Sequence, residues 1–189
     1  MTTGAAIANV TWSRIQRHGD ERGSFREMWR ESQFPRLTPE LTGMEGARFT
    51  QANVSTSDTG VLRGLHYHRR QLDQWIVLEG RAFVALVDIR PVLQGARLIF
   101  ETREVDADVT VTIPAGIAHG FLALSPLTLL YLVTNEYDGS DELGFAWDDP
   151  WVGVPWPIRI PTPDGRPILS ARDQRNPPLA DLIASLRAT

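Results

Sequence analysis

An all-β sandwich or barrel is the fold class this sequence predicts, and three observations predict it. Short strand-like segments recur along the middle of the chain, their separators are turn residues, and helical periodicity is scarce. Many short strands at regular spacing are the signature of a double-layered or closed β architecture. A length of 189 residues with 42% hydrophobic and 22% charged residues fits one domain, 1–189, with a core of its own.

In chain order, a short helix is expected at 30–37 and the first strand at 49–55. Strands follow at 66–67 and 74–78, and Glu79-Gly80 turns the chain into 82–89. Segments 96–101 and 109–113 come next, and Pro114-Ala115-Gly116 separates the latter from 120–123. Ser125-Pro126 leads into 129–133, which Asp138-Gly139 closes off. Residues 147–167 carry Trp147, Trp151 and Trp156 among prolines, so they are read as an ordered wrap over the barrel rather than a linker. A final helix at 179–186 places Leu179, Leu182, Ile183 and Leu186 on one face.

Composition narrows the function. A net charge of −4 argues against a nucleic-acid or membrane-surface partner. With no signal-like N-terminus and no apolar run of about 18 residues, the expected location is the cytoplasm. The chain has no cysteine, which removes thiolate chemistry and disulfides. It also has no lysine, since all 19 basic residues are arginine. Cationic work therefore falls to Arg, protonated His or a metal ion.

Two blocks carry the chemistry. Gly60-Val-Leu-Arg63-Gly-Leu-His66-Tyr-His68 runs on through Asp73 to Gly80, and Pro114-Ala-Gly116-Ile-Ala-His119-Gly120 lies downstream. His66 and His68 are two apart, so on a strand they project to one face, and the second block brings a third histidine. A lone histidine of this kind is usually a hydrogen-bonded core residue; three converging ones indicate a site. The paired blocks resemble the motifs of the cupin superfamily, which implies a double-stranded β-helix, or jelly-roll barrel, with short peripheral helices.

Seven ordered blocks sharpen the resemblance. They are Asp20-Glu21-Arg22-Gly23-x-Phe25-x-Glu27, Gln51-x-Asn53-x-Ser55, the Gly60 block, Val87-Asp88-Ile89-Arg90, Ile113 through Phe121, Trp147-Asp-Asp-Pro150 and Ile168-Leu-Ser170-x-x-Asp173. Spread over nearly the whole chain, they make the sequence similar to dTDP-4-dehydrorhamnose 3,5-epimerases. The resemblance implies a cofactor-free isomerase that removes a proton beside a ketone, stabilises the enolate and returns a proton to the opposite face. It implies His66 as base, Asp173 as its orienting partner and Tyr131 as the acid. Arg22 and Arg63 would bind the diphosphate, and Phe25, Glu27, Gln51, Asn53, Tyr137 and His119 would line the nucleotide and sugar pocket. An obligate homodimer with a dTDP-linked 4-keto-6-deoxyhexose as substrate is implied as well.

The pattern breaks at one place. Family members carry a lysine seven residues before the equivalent of Gly80, and here that position is Asp73. An unpaired carboxylate would oppose enolate formation, so it needs neutralising by Arg69 or Arg70, by protonated His68, or by a metal. The metal alternative is a divalent transition ion on His66, His68, Asp73 and His119, and it would cost His66 its role as base. Milder departures are Leu132, where relatives carry a basic residue, and Glu136, a position often Tyr. Both are expected close enough to Tyr131 to influence which carbon is reprotonated. The competing functions are a sugar-nucleotide 3,4-ketoisomerase and a metal-binding or non-catalytic cupin.

Overall fold

In the computed structural model, which describes residues 2–4, 6–33, 37–157 and 165–188, the strands form two facing antiparallel sheets. The chain opens with β1 (Thr2–Gly4) and β2 (Thr11–Arg14), then a hairpin of β3 (Arg17–Asp20) and β4 (Gly23–Arg26). A short α1 (Pro39–Thr42) leads into β5 (Gln51–Ser57), β6 (Leu62–Tyr67), β7 (Asp73–Glu79) and β8 (Arg81–Asp88). After α2 (Arg90–Leu93) come β9 (Ile99–Asp106), β10 (Val109–Ile113), β11 (Ile117–Ala123), β12 (Leu127–Val133) and β13 (Leu143–Gly144), with α3 (Leu179–Arg187) last.

One sheet has the order β1-β9-β8-β11-β6-β13 and the other β2-β10-β7-β12-β5. From β5 to β13 the chain changes sheet at every step except between β8 and β9, which is the winding of the expected jelly roll. Inner side chains of both sheets interdigitate: Trp75 and Val77 meet Val84, Leu86, Phe121 and Leu129. A second cluster lies on the outer face of the six-stranded sheet, where Ala85, Val87 and Ala118 pack against Phe145, Leu179, Leu182 and Ile183. Strands β8 and β11 are thus covered on both sides, which is why 82–87 reads as an unbroken apolar run.

Several expectations are adjusted. At 30–37 the described part is one 3-10 turn at Glu31–Gln33, and residues 34–36 lie outside the described residues. The N-terminal strands escaped the sequence reading because β2, β3 and β4 are almost wholly exposed and show no apolar alternation. Strand β9 runs to Asp106, beyond the expected 101, because its charged second half still pairs in register with β8. In the wrap, buried Trp147 accepts a 2.8 Å bond from Trp156 Nε1 at its carbonyl, and Trp156 meets Phe83 edge-on. Residues 158–164 of that segment lie outside the described residues.

A close approach of two glycines fixes how β6 meets β11. His66 pairs with His119 and Arg63 with Phe121, so three steps along β6 answer two along β11 and β6 bulges between them. A Cβ on Gly64 would stand 2.7 Å from Gly120 Cα and 2.9 Å from the His119 carbonyl oxygen, and Gly64 has φ of +130°. Only glycine meets both demands. Gly64→Ala is therefore expected to lower stability by about 2–4 kcal/mol, through overpacking and a strained backbone together. Urea unfolding measures the loss, and a change below about 1 kcal/mol would contradict this contact.

Candidate active site

The bulge has a direct consequence for side-chain direction. In a regular strand Arg63 and His66 would point to opposite faces; the extra residue turns both inward. His119 and Phe121, two apart on β11, join them. The facing sheet contributes Asp73 and Trp75 from β7, Leu129, Tyr131 and Val133 from β12, and Gln51, Asn53 and Ser55 from β5. Cross-strand pairs Tyr131 with Trp75, Tyr131 with Asn53 and Val133 with Asp73 put these on one face. Together the two walls enclose a cavity of about 460 Å³.

His66 sits on the six-stranded wall, and its Nε2 lies 2.7 Å from Asp173 Oδ1. Asp173 arrives from 107 residues away because the C-terminal segment is tied to the start of β6. Leu62 N–H donates to the Ile168 carbonyl and Ile168 N–H to the Gly60 carbonyl, both at 2.9 Å. Ser170 and Asp173 then lock each other: Ser170 Oγ donates to Asp173 Oδ2 at 2.9 Å and accepts from Asp173 N–H at 3.0 Å. Burial alone would raise the Asp173 pKa, but the bond and charge of His66 and the Ser170 hydroxyl outweigh it and hold the group below its ordinary value. An ionised Asp173 accepts the Nε2 proton, leaving Nδ1 as the basic nitrogen of His66.

Tyr131 stands on the opposite sheet. Burial first, then the Asp73 charge, raises its pKa above the usual phenol value, so the hydroxyl keeps its proton at neutral pH. Gln51 donates to Asn53 Oδ1 at 2.8 Å and accepts from Tyr137 N–H at 2.9 Å, which strings three predicted binding residues along one rim. Arg63 is braced by bonds to Ser57 Oγ and the Thr56 carbonyl, at 3.1 and 3.0 Å.

The structure keeps three predicted residues away from this cavity. Arg22, Phe25 and Glu27 belong to the β3–β4 hairpin and the segment after it, where Arg22 pairs with Asp20, Glu27 with Arg30, and Phe25 is 68% exposed. Arg17 and Arg26 both bind Asp108, anchoring the base of that hairpin to the barrel. Leu132 and Glu136 do not reach the cavity either: Leu132 points to the other face of β12 from Tyr131, and Glu136 is exposed.

Around Asp73 the arginine route is corrected. Asp141 accepts from both backbone N–H groups at 2.9 and 2.8 Å and from Arg69 Nε at 3.2 Å, while the Arg70 guanidinium turns to Ser140 Oγ at 3.2 Å. Asp73, 4% exposed, accepts from Gln71 Nε2 at 2.8 Å and Trp75 Nε1 at 3.1 Å, and His119 Nε2 lies 3.8 Å away. Burial, with the like charge of His68 and His66, outweighs the Asp73 carboxylate and depresses the His119 pKa to about 4, so that ring is neutral at neutral pH. One donor atom each from His68, Asp73 and His119 falls within 4.8 Å of the others. His66 is not of that group, so the four-residue metal set is not assembled. Trp75, Gln71, Glu142 and Arg172 also line the cavity and were missed. Trp75 could have been found from its spacing to Asp73 on an alternating strand, whereas Glu142 and Arg172 lie in irregular segments with no pattern.

The chain is similar to several known proteins. Residues 4–181 match the family model described as dTDP-4-dehydrorhamnose 3,5-epimerase. A dTDP-4-dehydrorhamnose 3,5-epimerase from Pseudomonas aeruginosa is 34% identical over 188 residues, covering 95% of this chain and 96% of the relative. A dTDP-6-deoxy-D-glucose-3,5-epimerase from Legionella pneumophila, solved with dTDP-4-keto-L-rhamnose, superposes with a TM-score of 0.79 at 30% identity, covering 98% of this chain and 97% of the other. A 3'-monoepimerase from Streptomyces bikiniensis, solved with dTDP-quinovose, gives 0.76 at 26% identity over 98% of each chain.

The hydrogen bonds set opposite tautomers in one cavity. His68 and His119 each direct Nδ1 at a backbone carbonyl, of Asp141 at 2.8 Å and Ile117 at 3.1 Å, and a carbonyl only accepts. Long-range ¹H–¹⁵N correlation is expected to find neutral His66 protonated at Nε2 but His68 and His119 at Nδ1. An Nδ1–H tautomer at His66 would contradict the assignment of its basic nitrogen.

Proposed function

The chain belongs to the dTDP-4-dehydrorhamnose 3,5-epimerase family and is an epimerase, and we propose that it inverts C3, C5 or both in a dTDP-linked 4-keto-6-deoxyhexose. One observation carries the reading: His66, held by Asp173, faces a cavity whose opposite wall bears Tyr131. An epimerase needs a base and an acid on opposite sides of the sugar, and the two sheets supply one each.

His66 Nδ1 removes the proton beside the C4 ketone, and the bond electrons pass to the carbonyl oxygen as an enolate. Asp173 stabilises the imidazolium that results. The Tyr131 hydroxyl delivers a proton to the other face of the same carbon, giving the inverted centre; solvent returns a proton to the phenolate and takes one from the imidazolium. Both transfers use groups of the chain, so neither calls for an organic cofactor. Arg63 suits one side of the diphosphate by charge-assisted hydrogen bonds, with Gln51, Asn53 and Tyr137 along the nucleotide rim and His119 beside the sugar.

The exposed hairpin fits a homodimer, in which Arg22, Phe25 and Glu27 would complete the pocket of a second copy. Phe25, 68% exposed on that anchored ribbon, suits such a contact. No helix among the described residues is long and apolar enough to cross a membrane, and a sugar-nucleotide substrate fits a cytoplasmic enzyme.

Incubation with dTDP-4-keto-6-deoxyglucose in deuterated water, followed by NMR, tests the reading. Deuterium at C3 or C5 with inverted configuration is expected, whereas a carbonyl moved to C3 would mean a ketoisomerase and no exchange a binding protein. His66→Asn and Asp173→Asn are each expected to slow exchange by about 10²–10⁴-fold with the fold intact. Near-normal exchange in His66→Asn would remove it as the base.

A further inference from the structure

We propose that His68, Asp73 and His119 form a subsite for a primary ammonium group, and that the substrate this chain favours is a sugar nucleotide with an amine on the carbon beside its ketone. The subsite deepens the epimerase reading and rests on it for the placement of the ketone. Binding of the amine depends only on the three side chains.

Hydrogen-bond polarity argues for it first. Nδ1 of His68 and of His119 each face a backbone carbonyl, at 2.8 and 3.1 Å, so the neutral rings carry the proton on Nδ1 and the lone pair on Nε2. His119 Nε2 then faces Asp73 Oδ2 at 3.8 Å, an acceptor opposite an acceptor. All three residues line the cavity, and one nitrogen or oxygen from each lies within 4.8 Å of the other two. Converging acceptors call for a ligand that brings the donors, and an ammonium group carries three. A hydroxyl brings one and leaves the other acceptors unmet.

Charge argues for it second. Asp73 is 4% exposed, and among the described residues it accepts hydrogen bonds only from the neutral side chains of Gln71 and Trp75. The nearby arginines are engaged elsewhere: Arg69 with Asp141, Arg70 with Ser140, Arg172 with Glu142 and Arg63 with Ser57. Burying a carboxylate is costly unless a cation pairs with it. The chain has no lysine, and Asp73 stands seven residues before Gly80, where the family pattern has one. Polarity is thereby reversed at this place: the anion is on the protein and the cation belongs to the sugar.

Geometry agrees. An ammonium nitrogen about 2.8 Å from each acceptor, with tetrahedral N–H directions, separates the acceptors by about 4.6 Å, and an angle of about 85° gives about 3.8 Å. The spacings of 3.8 Å and within 4.8 Å fall in that range. Gln71 and Trp75 each donate to a different Asp73 oxygen, so the carboxylate is oriented before a ligand arrives. On the carbon next to the ketone, the ammonium cancels the carboxylate that would oppose an enolate. It also stands beside the oxygen where negative charge develops.

The test compares two non-reacting analogues on the full-length protein by isothermal titration calorimetry. They are dTDP-3-amino-3,6-dideoxyglucose and dTDP-6-deoxyglucose, which has a hydroxyl in place of the amine. The amine is expected to bind about 30-fold or more tightly, and Asp73→Asn to remove that preference. Equal affinities in the unsubstituted protein overturn the subsite, and this comparison needs no variant to fold. An undiminished preference in Asp73→Asn overturns it too, as does one equivalent of transition metal that stays with the purified protein and is lost in Asp73→Asn. Deuterium exchange into the two corresponding 4-keto sugars separates the subsite from the reading it rests on. Exchange with no advantage for the amino sugar, alongside equal analogue binding, defeats the subsite and leaves the epimerase. Amine preference in binding without exchange into either sugar defeats the epimerase and leaves the subsite.

Discussion

The contact between Gly64 and Gly120 is the constraint on which the rest of the cavity depends. Two backbones meet there without side chains between them, and the bulge beside them rotates β6 by one residue relative to β11. Without that shift, Arg63 and His66 would lie on opposite faces of the sheet, and the cavity would lose one of the two. The same strand also receives the C-terminal segment through Gly60 and Leu62, so the element that aims His66 inward also brings Asp173 behind it. Strand geometry and the His66–Asp173 contact are coupled at one place.

Facing sheets give the cavity its two-sidedness. Residues of β6 and β11 can reach a bound sugar only from one side and those of β7, β12 and β5 only from the other, because a sandwich packs its inner faces about 10 Å apart. In the proposed reaction His66 and Tyr131 stand on different sheets and cannot exchange roles easily, which suits inversion rather than simple exchange. The floor of Trp75, Phe121 and Leu129 belongs to the hydrophobic core itself, so that end of the cavity is set by close-packed side chains rather than by loops. Polar rim residues such as Gln51 and Tyr137 lie toward the more exposed side.

Much of this was legible in the amino-acid order, for identifiable reasons. Strands 74–78, 82–89, 109–113 and 129–133 were readable within a few residues because burial imposes apolar runs or alternation on them. The start of β6 was not, since a bulge at two glycines and polar residues breaks the period that the reading relies on. The N-terminal strands were silent because an exposed ribbon carries no core pattern. His66 and Asp173 were recognisable through their motifs, and the fold brings them to a 2.7 Å contact. The fate of Arg69 and Arg70 could not be read, because Asp141 lies about 70 residues away in a loop whose position only the fold decides.

In the proposed reaction protons leave on one wall and return on the other. Tyr131→Phe removes the hydroxyl from the returning wall while leaving His66 and Asp173 in place, so it isolates the second half of the reaction. Followed by NMR in deuterated water, this variant is expected to wash deuterium into the substrate with retained configuration faster than it forms the inverted product. Equal loss of exchange and inversion would contradict the division of labour between the two sheets.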